Sequence, residues 1–375
     1  MERPQVVVVV LTYNTARYVD ACFGALARAK LAESRAEVLA VDNASTDGTA
    51  ALIRARHPWV RVIENPQNLG FAGGNNVGMR AAIDRGADWI YLLNPDTEVE
   101  PGFLEHALAV ARETPNAGSV QSLLLLPGER PRINTAGNRI HFLGFGYCGL
   151  LGAPIEAAPP APVEIPFASG AAVLLSVPAL HEIGLFDEFL FLYQEDMDLG
   201  WRLRLSGFVN VLAPASVVLH HYEFSRNVRK YFFLERNRLV VLLKNLAPRS
   251  LLVLAPLLVA AELGLLAVSI AAGWLPEKLR AWAQFGRRET WRHIRTARSA
   301  VQATRRVSDW KISEQFTPAI DFPDLPGGSL ATLLSWPMRA SWWLLRPLLS
   351  RRTGSGTPGS TSPREDVPAP HDLRR

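Results

Sequence analysis

Two acidic stations carry most of the chemistry this chain can offer. Asn94-Pro95-Asp96-Thr97-Glu98 follows an apolar run directly, and Glu195-Asp196-Met197-Asp198 leads into Leu199-Gly200-Trp201-Arg202. A hard cation takes one or two carboxylates and leaves its other positions to water and substrate phosphates, so Asp96 at a strand end can hold Mg²⁺ or Mn²⁺. Asn-Pro-Asp is also good turn chemistry, and on its own it favours a turn. Glu195, Asp196 or Asp198 can supply a general base, which must be ionised and within reach of an attacking hydroxyl. Acids at a helix start equally complement the macrodipole, and the two readings are compatible because a helix start fixes the carboxylate. Together the two stations point to metal-assisted transfer of a phosphate-activated group.

Smaller polar groups collect around them. Thr12, Tyr13 and Asn14 follow the first apolar run, Asp42 and Asn43 the second, Asn65 the third, and Asn94 with Asp96 the fourth. Asp42 can accept hydrogen bonds from a nucleobase or ribose, or cap the next turn. His220 or His221 can add a nitrogen ligand to a metal, although a lone pair of histidines at a strand end is more often structural. Gly70, Gly73, Gly74 and Gly78 would let a ligand approach the backbone, but they do not form G-x-G-x-x-G at the first strand.

Positioning these groups requires an α/β scaffold. Residues 6–11 form a continuous run of valines and leucine without polar alternation, as in a strand buried on both faces of a parallel sheet. Helix is expected over 16–30, strand over 37–41, helix up to 56 capped by Ser45 or Thr46, strand over 60–63, helix over 74–85 and strand over 89–93. This alternation predicts a doubly wound, mostly parallel sheet, whose ligands lie at the carboxyl ends of the strands. Prolines interrupt residues 127–162, which read as an irregular segment or lid. Strands return at 171–176 and at 217–219, the latter delivering His220 and His221.

With 375 residues the chain can hold a large catalytic domain and an appendage. Its net charge of +5 would suit nucleic acid or an anionic membrane. Arg and Lys crowd residues 278–311, interleaved with Trp282, Trp291 and Trp310, a pattern that favours a membrane surface over a nucleic-acid groove. Residues 250–274 are apolar except for Glu262, Ser269 and the breaker Pro256, so this run can span a bilayer or dip into one leaflet. Residues 330–349 read as a second, interfacial stretch. The division expected is a catalytic domain over 1–245, a membrane-associated helical region over 246–350 and a disordered tail over 351–375. Cys22 and Cys148 read as reduced thiols, and the short apolar start reads as the first strand of a cytoplasmic protein rather than a signal peptide.

Five segments, in order and with matching spacing, closely resemble the family 2 glycosyltransferases, in particular a bacterial rhamnosyltransferase-like branch. They are Val10-Leu11-Thr12-Tyr13-Asn14, residues 41–48 around Asp42, residues 68–76 from Asn68 to Asn76, Leu93-Asn94-Pro95-Asp96 and Glu195-Asp196-Met197-Asp198. The resemblance covers residues 5–240. It implies an A-type glycosyltransferase fold, a nucleoside-diphosphate sugar donor such as dTDP-rhamnose, a divalent cation and inversion at the anomeric carbon. By the same resemblance Asp42 binds the base or ribose, with Thr12, Tyr13, Asn14, Asn43, Asn76 and Asn94 around the donor. Asp96 matches the last acid of a D-x-D metal motif whose first acid is Asn94 here. Asp196, beside Glu195, matches the catalytic base, and His220 falls where related enzymes place a metal-binding histidine.

The sequence therefore predicts an inverting, metal-dependent glycosyltransferase on the cytoplasmic face of the membrane, with a lipid-linked saccharide as acceptor and no nucleic-acid partner. A nucleotide-dependent oxidoreductase would share the strand alternation but should carry glycines where Thr12-Tyr13-Asn14 stands. A non-catalytic membrane scaffold would not need acids at two strand-end stations.

Overall fold

A computed structural model of the chain describes residues 5–29, 31–222, 228–319 and 338–350. The tail over 351–375 and the start of the 330–349 stretch lie outside the described residues. The first half alternates as expected: β1 (Val6–Thr12), α1 (Val19–Arg28), β2 (Ala36–Asp42), α2 (Thr49–Arg56), β3 (Arg61–Glu64), α3 (Gly70–Asp84) and β4 (Trp89–Leu93). β1 lies parallel between β2 and β4, and β2 pairs parallel with β3. All seven residues of β1 are buried. Val6, Val8 and Val10 pack with Phe23 of α1 and Ile53 of α2, whereas Val7, Val9 and Leu11 pack with Ala72 and Met79 of α3. A strand covered on both faces has no solvent side, which is why its sequence shows no alternation.

The second half is mixed. After β5 (Thr97–Val99) and α4 (Phe103–Glu113), β6 (Ala117–Leu126) enters the same sheet. The segment read as irregular contains β7 (Arg132–Thr135), β8 (Asn138–His141) and β9 (Gly146–Cys148), each only three or four residues long. β10 (Val163–Glu164) and β11 (Ala172–Ser176) follow, and β11 runs antiparallel between β4 and β6. α5 (Val177–Ile183) and α6 (Glu195–Leu205) lead to β12 (Val209–His220), far longer than the three residues expected. A register irregularity between Ala213 and Val217 accommodates Pro214, which cannot donate to the ladder.

Two boundaries differ for physical reasons. α2 is capped by Gly48 at φ 84° rather than by Ser45 or Thr46, because Ser45 bonds back to Asp42. α3 starts at Gly70, four residues earlier than expected, because its glycines serve packing: a Cβ on Gly74 would sit 2.5 Å from Leu11, and one on Gly78 2.3 Å from Val9.

Beyond residue 245 come α8 (Pro248–Ala271), α9 (Leu275–Gln284), α10 (Arg288–Thr304), α11 (Asp309–Ile312) and β13 (Phe316–Thr317), all following α7 (Lys230–Asn245). β13 pairs with β8. Ile294, Val301, Ile312, Phe316 and Trp342 share one buried cluster with Phe142, Trp201 and Val240. The core thus runs through the boundary drawn at 245.

Candidate active site

The parallel register sets Thr12 opposite Asp42 at the carboxyl ends of β1 and β2. The Thr12 hydroxyl donates to Asp42 Oδ1 at 3.0 Å. Ser45 donates to the same carboxylate from its N–H at 2.9 Å and its hydroxyl at 2.6 Å, so Asp42 is buried and does cap the following turn. Tyr13 is exposed beside it, and Asn14, at φ 53°, accepts from the Thr46 N–H at 2.8 Å. The side chains of Asn43 and Asn76, expected around the donor, are turned to protein partners. The Asn43 amide is spent on Asn65, Asn68, Leu69 and Gly70, and that of Asn76 on Phe186 and Glu188. Both amides are bonded at each end to protein, which makes them braces of the rim.

Asp96 and His220 are brought together by strand pairing. β5 runs antiparallel to the end of β12, with His220 opposite Thr97, and the His221 N–H continues the ladder to the Asp96 carbonyl at 2.8 Å. His220 Nε2 then lies 3.4 Å from Asp96 Oδ1, while its Nδ1 lies 2.9 Å from Asn134 Oδ1. Of the two histidines it is His220 that faces Asp96; His221 turns to Glu98 at 2.7 Å. The turn reading of Asn94-Pro95-Asp96 also holds, since the Thr97 hydroxyl donates to the Asn94 carbonyl at 2.6 Å.

These residues fit a divalent cation. Asp96 Oδ1 is buried yet lacks a hydrogen-bond partner. In the tautomer whose Nδ1–H donates to Asn134, His220 Nε2 directs a lone pair at that oxygen, and a cation between them satisfies both. Among the described residues no cluster of three His, Cys, Asp or Glu side chains forms, so most of the coordination would fall to substrate phosphates and water.

The second station sits at the first turn of α6. Asp196 accepts from the Gly170 N–H at 3.2 Å and from the Met197 N–H at 2.7 Å. Burial pushes its carboxyl up to about 6, although these N–H groups pull the other way. Glu195 is held well above the ordinary carboxylate range, first by burial and then by the neighbouring charge of Asp196, and its Oε2 has no partner. Asp196, with its two donors, is therefore the member of the pair suited to ionise. Asp198 is fully buried against Arg202 and Lys244, both at 2.9 Å, and is structural. The Ala171 carbonyl accepts the Asn94 N–H at 2.8 Å. Gly170, the preceding residue, holds Asp196, so two hydrogen bonds and one peptide join the acidic stations.

Residues 7–184 match the family profile described as glycosyl transferase family 2. The chain is 31% identical over 234 residues to the N-acetylglucosaminyl-diphospho-decaprenol L-rhamnosyltransferase of Mycobacterium tuberculosis, covering 57% of this chain and 75% of that protein. The chain belongs to glycosyltransferase family 2. A low-salt glycan biosynthesis hexosyltransferase of Haloferax volcanii is 28% identical over 171 residues, covering 45% of this chain and 53% of its own. The crystal structure of GalNAc-T7 with UDP, GalNAc and Mn²⁺ superposes with a TM-score of 0.50 at 16% identity, over 64% of this chain and 48% of that one. The glycosyltransferase A-type fold expected from the motifs is thereby shown. As a member of this family the protein is an enzyme, and the oxidoreductase and scaffold readings fall away.

Within this glycosyltransferase, the loop that leads into Asp196 depends on residues the sequence reading missed. Phe191, Tyr193 and Gln194 all have positive φ, at 64°, 69° and 67°. Such conformations cost about 1–3 kcal/mol each and persist only where the surroundings enforce them. Asn237 Nδ2 lies 2.8–2.9 Å from the carbonyls of Leu190, Leu192 and Tyr193, and Arg236 donates to those of Phe189 and Leu190. The Ala72 N–H takes the Phe191 carbonyl at 3.1 Å. Gly70 lies beneath, where a Cβ would come 2.4 Å from that oxygen. The signal in the sequence was the polar run Glu235-Arg236-Asn237-Arg238 between apolar stretches of α7, all four buried.

Proposed function

We propose that the protein transfers a sugar, with dTDP-rhamnose the first donor to test, from a nucleoside diphosphate to a lipid-linked saccharide in cell-surface polysaccharide synthesis, at the cytoplasmic face of the membrane. The observation that supports this reading is the short link from Asn94, two residues before Asp96, through Ala171 and Gly170 to Asp196, which brings the two acidic stations close together. The name of the mycobacterial relative, an enzyme acting on a decaprenol-linked sugar, supports the acceptor class.

In this mechanism Thr12, Tyr13, Asn14 and the Asp42 turn border the nucleoside at the ends of β1 and β2, and Asn94 lines the path to the diphosphate. Asp96 and His220 would hold Mg²⁺ or Mn²⁺, which when bound supplies positive charge for the diphosphate. Asp196 takes the proton from the acceptor hydroxyl as its oxygen attacks the anomeric carbon, and the nucleoside diphosphate departs from the opposite face with inversion. The Gly170 and Met197 N–H groups hold the Asp196 carboxylate in place.

The test is incubation of the full-length protein with dTDP-, UDP- and GDP-sugars, Mn²⁺ and a polyprenyl-diphosphate-linked N-acetylglucosamine acceptor. Transfer with inverted anomeric configuration in the product's NMR spectrum is expected. Retention of configuration, or full activity in excess chelator, would remove the inverting or the metal-dependent part of the reading.

A further inference from the structure

α8 has two unlike sides. On one, Ser250, Leu254 and Ser269 are buried, and Glu262 is bound by Lys278 Nζ at 2.8 Å, by the Trp282 indole N–H at 2.6 Å and by Arg238. On the other, Leu252, Val259, Leu263 and Ile270 are 75%, 60%, 61% and 61% exposed. Helical geometry puts these four within about 40° of one another around the axis, so they form a stripe along the length of the helix. Next to α8, the segment that ends in residues 346–349 exposes Trp343, Leu344 and Leu348. Arg249, at the first turn of α8 and about 60° around the helix from the stripe, and Arg280, on the α9 that packs against α8, are also exposed.

Among the described residues α8 is the one helix long and apolar enough to cross a membrane. Its protein contacts argue against crossing. They run from Ser250 to Ser269, a rise of roughly 29 Å at 1.5 Å per residue, about the thickness of the hydrocarbon core. A crossing α8 would therefore draw α7 and α9 into the bilayer with it. α7 holds the loop that leads into α6 and Asp196, and α9 exposes Arg280, a charge costing about 2.5–3.5 kcal/mol at the bilayer centre.

We propose that α8 is an in-plane anchor whose stripe of Leu252, Val259, Leu263 and Ile270 rests in one leaflet of an anionic bilayer without crossing it. The exposed arginines complement the lipid headgroups, which favours a bilayer over a second copy of this chain as the occupant. Arg238 joins α8 to α7 through Glu262, and the neighbouring Arg236 and Asn237 hold the Asp196 loop, so the anchor sets the height of the base above the membrane. This rests on the membrane part of the proposed function.

The test uses the full chain. With Cys148→Ser as background, Arg249→Cys and Ala272→Cys mark the two ends of α8 for a membrane-impermeant maleimide. Both should label in inverted membrane vesicles; an end that labels only in right-side-out vesicles means a crossing helix and overturns the proposal. Purified protein should float with vesicles of phosphatidylcholine and phosphatidylglycerol, and the Leu252→Glu/Leu263→Glu variant should bind them about tenfold less or weaker. Transfer to a short-chain soluble acceptor should survive in that variant, which separates failure of the anchor from failure of the transferase reading. A lipid-free dimer that the double variant dissociates, or a full chain that neither floats nor sediments with membranes, also overturns it.

Discussion

Asp196 and Glu195 are adjacent, but their surroundings assign them different work. Asp196→Asn keeps the shape and the two N–H contacts but cannot take a proton, so turnover should fall by about 10²–10⁴ with donor affinity near wild type. Glu195→Gln should be milder in turnover and leave the thermal midpoint near wild type, since burial already holds the Glu195 carboxyl well above the ordinary range and the amide replaces one neutral group with another. If Glu195→Gln proved the more damaging change, the base would move to Glu195. Because the Asp196 carboxyl is raised to about 6, kcat/KM should climb as pH rises towards that value and level off above it. The stability effect has the opposite sign. The folded state holds this proton more tightly than the unfolded chain, so its contribution is complete below the ordinary carboxylate range and is lost as pH rises through about 6. On the phosphate side, Asp96→Ala should weaken donor binding in Mn²⁺ and abolish transfer while leaving the melting curve unchanged. The types of these residues were legible in the sequence. That Asn43 and Asn76 brace the rim was not, because an amide's partners are set by tertiary contacts that no spacing records.

At the scale of elements, the loop leading into Asp196, the proposed base, is held by a separate helix. α7 holds three loop carbonyls, those of Leu190, Leu192 and Tyr193, through Asn237, and removing that amide leaves buried acceptors unpaired, at about 1–3 kcal/mol. Asn237→Ala should therefore lower the thermal midpoint and reduce kcat more than it raises KM for the donor, since Asp42 and Asp96 stand on other elements. Equal loss in nucleotide affinity would show that the clamp supports the whole rim. Gly70→Ala should do similar damage through the clash with Phe191. The strands were the readable elements, because a run buried on both faces, like β1, announces itself. The start of α3 was misread because its glycines look like breakers or ligand contacts, whereas they admit Leu11, Val9 and Phe191. The segment over 127–162 was unreadable because β7, β8 and β9 are too short to show a period, and β8 is completed by β13 from the far end of the chain.

For the whole molecule, the sequence separates a catalytic part from a basic, membrane-facing third, yet many of those basic groups work inside the fold. Lys278 is buried against Glu235 and Glu262. Arg298 and Arg305 donate to carbonyls at the end of α7, and Gln302 does the same, satisfying acceptors that a helix end leaves open. On the other side of the same helices, His293 binds Asp187 at 3.0 Å, and Asp187 is tied to Lys244 and held far below the ordinary carboxylate range despite its burial. Ending the chain at Asn245 would remove these partners and uncover Phe142, Trp201, Val240 and Leu242. Re-exposing buried side chains of this kind costs about 1.5–3 kcal/mol each, against a total stability of about 5–15 kcal/mol. The shortened chain should therefore be insoluble or lack a cooperative unfolding transition, and should not bind a nucleotide sugar. Circular dichroism melting and limited proteolysis check this directly. A soluble 1–245 fragment with a sharp transition and full-length donor affinity would mean that the catalytic domain folds alone and that the C-terminal helices only cover it.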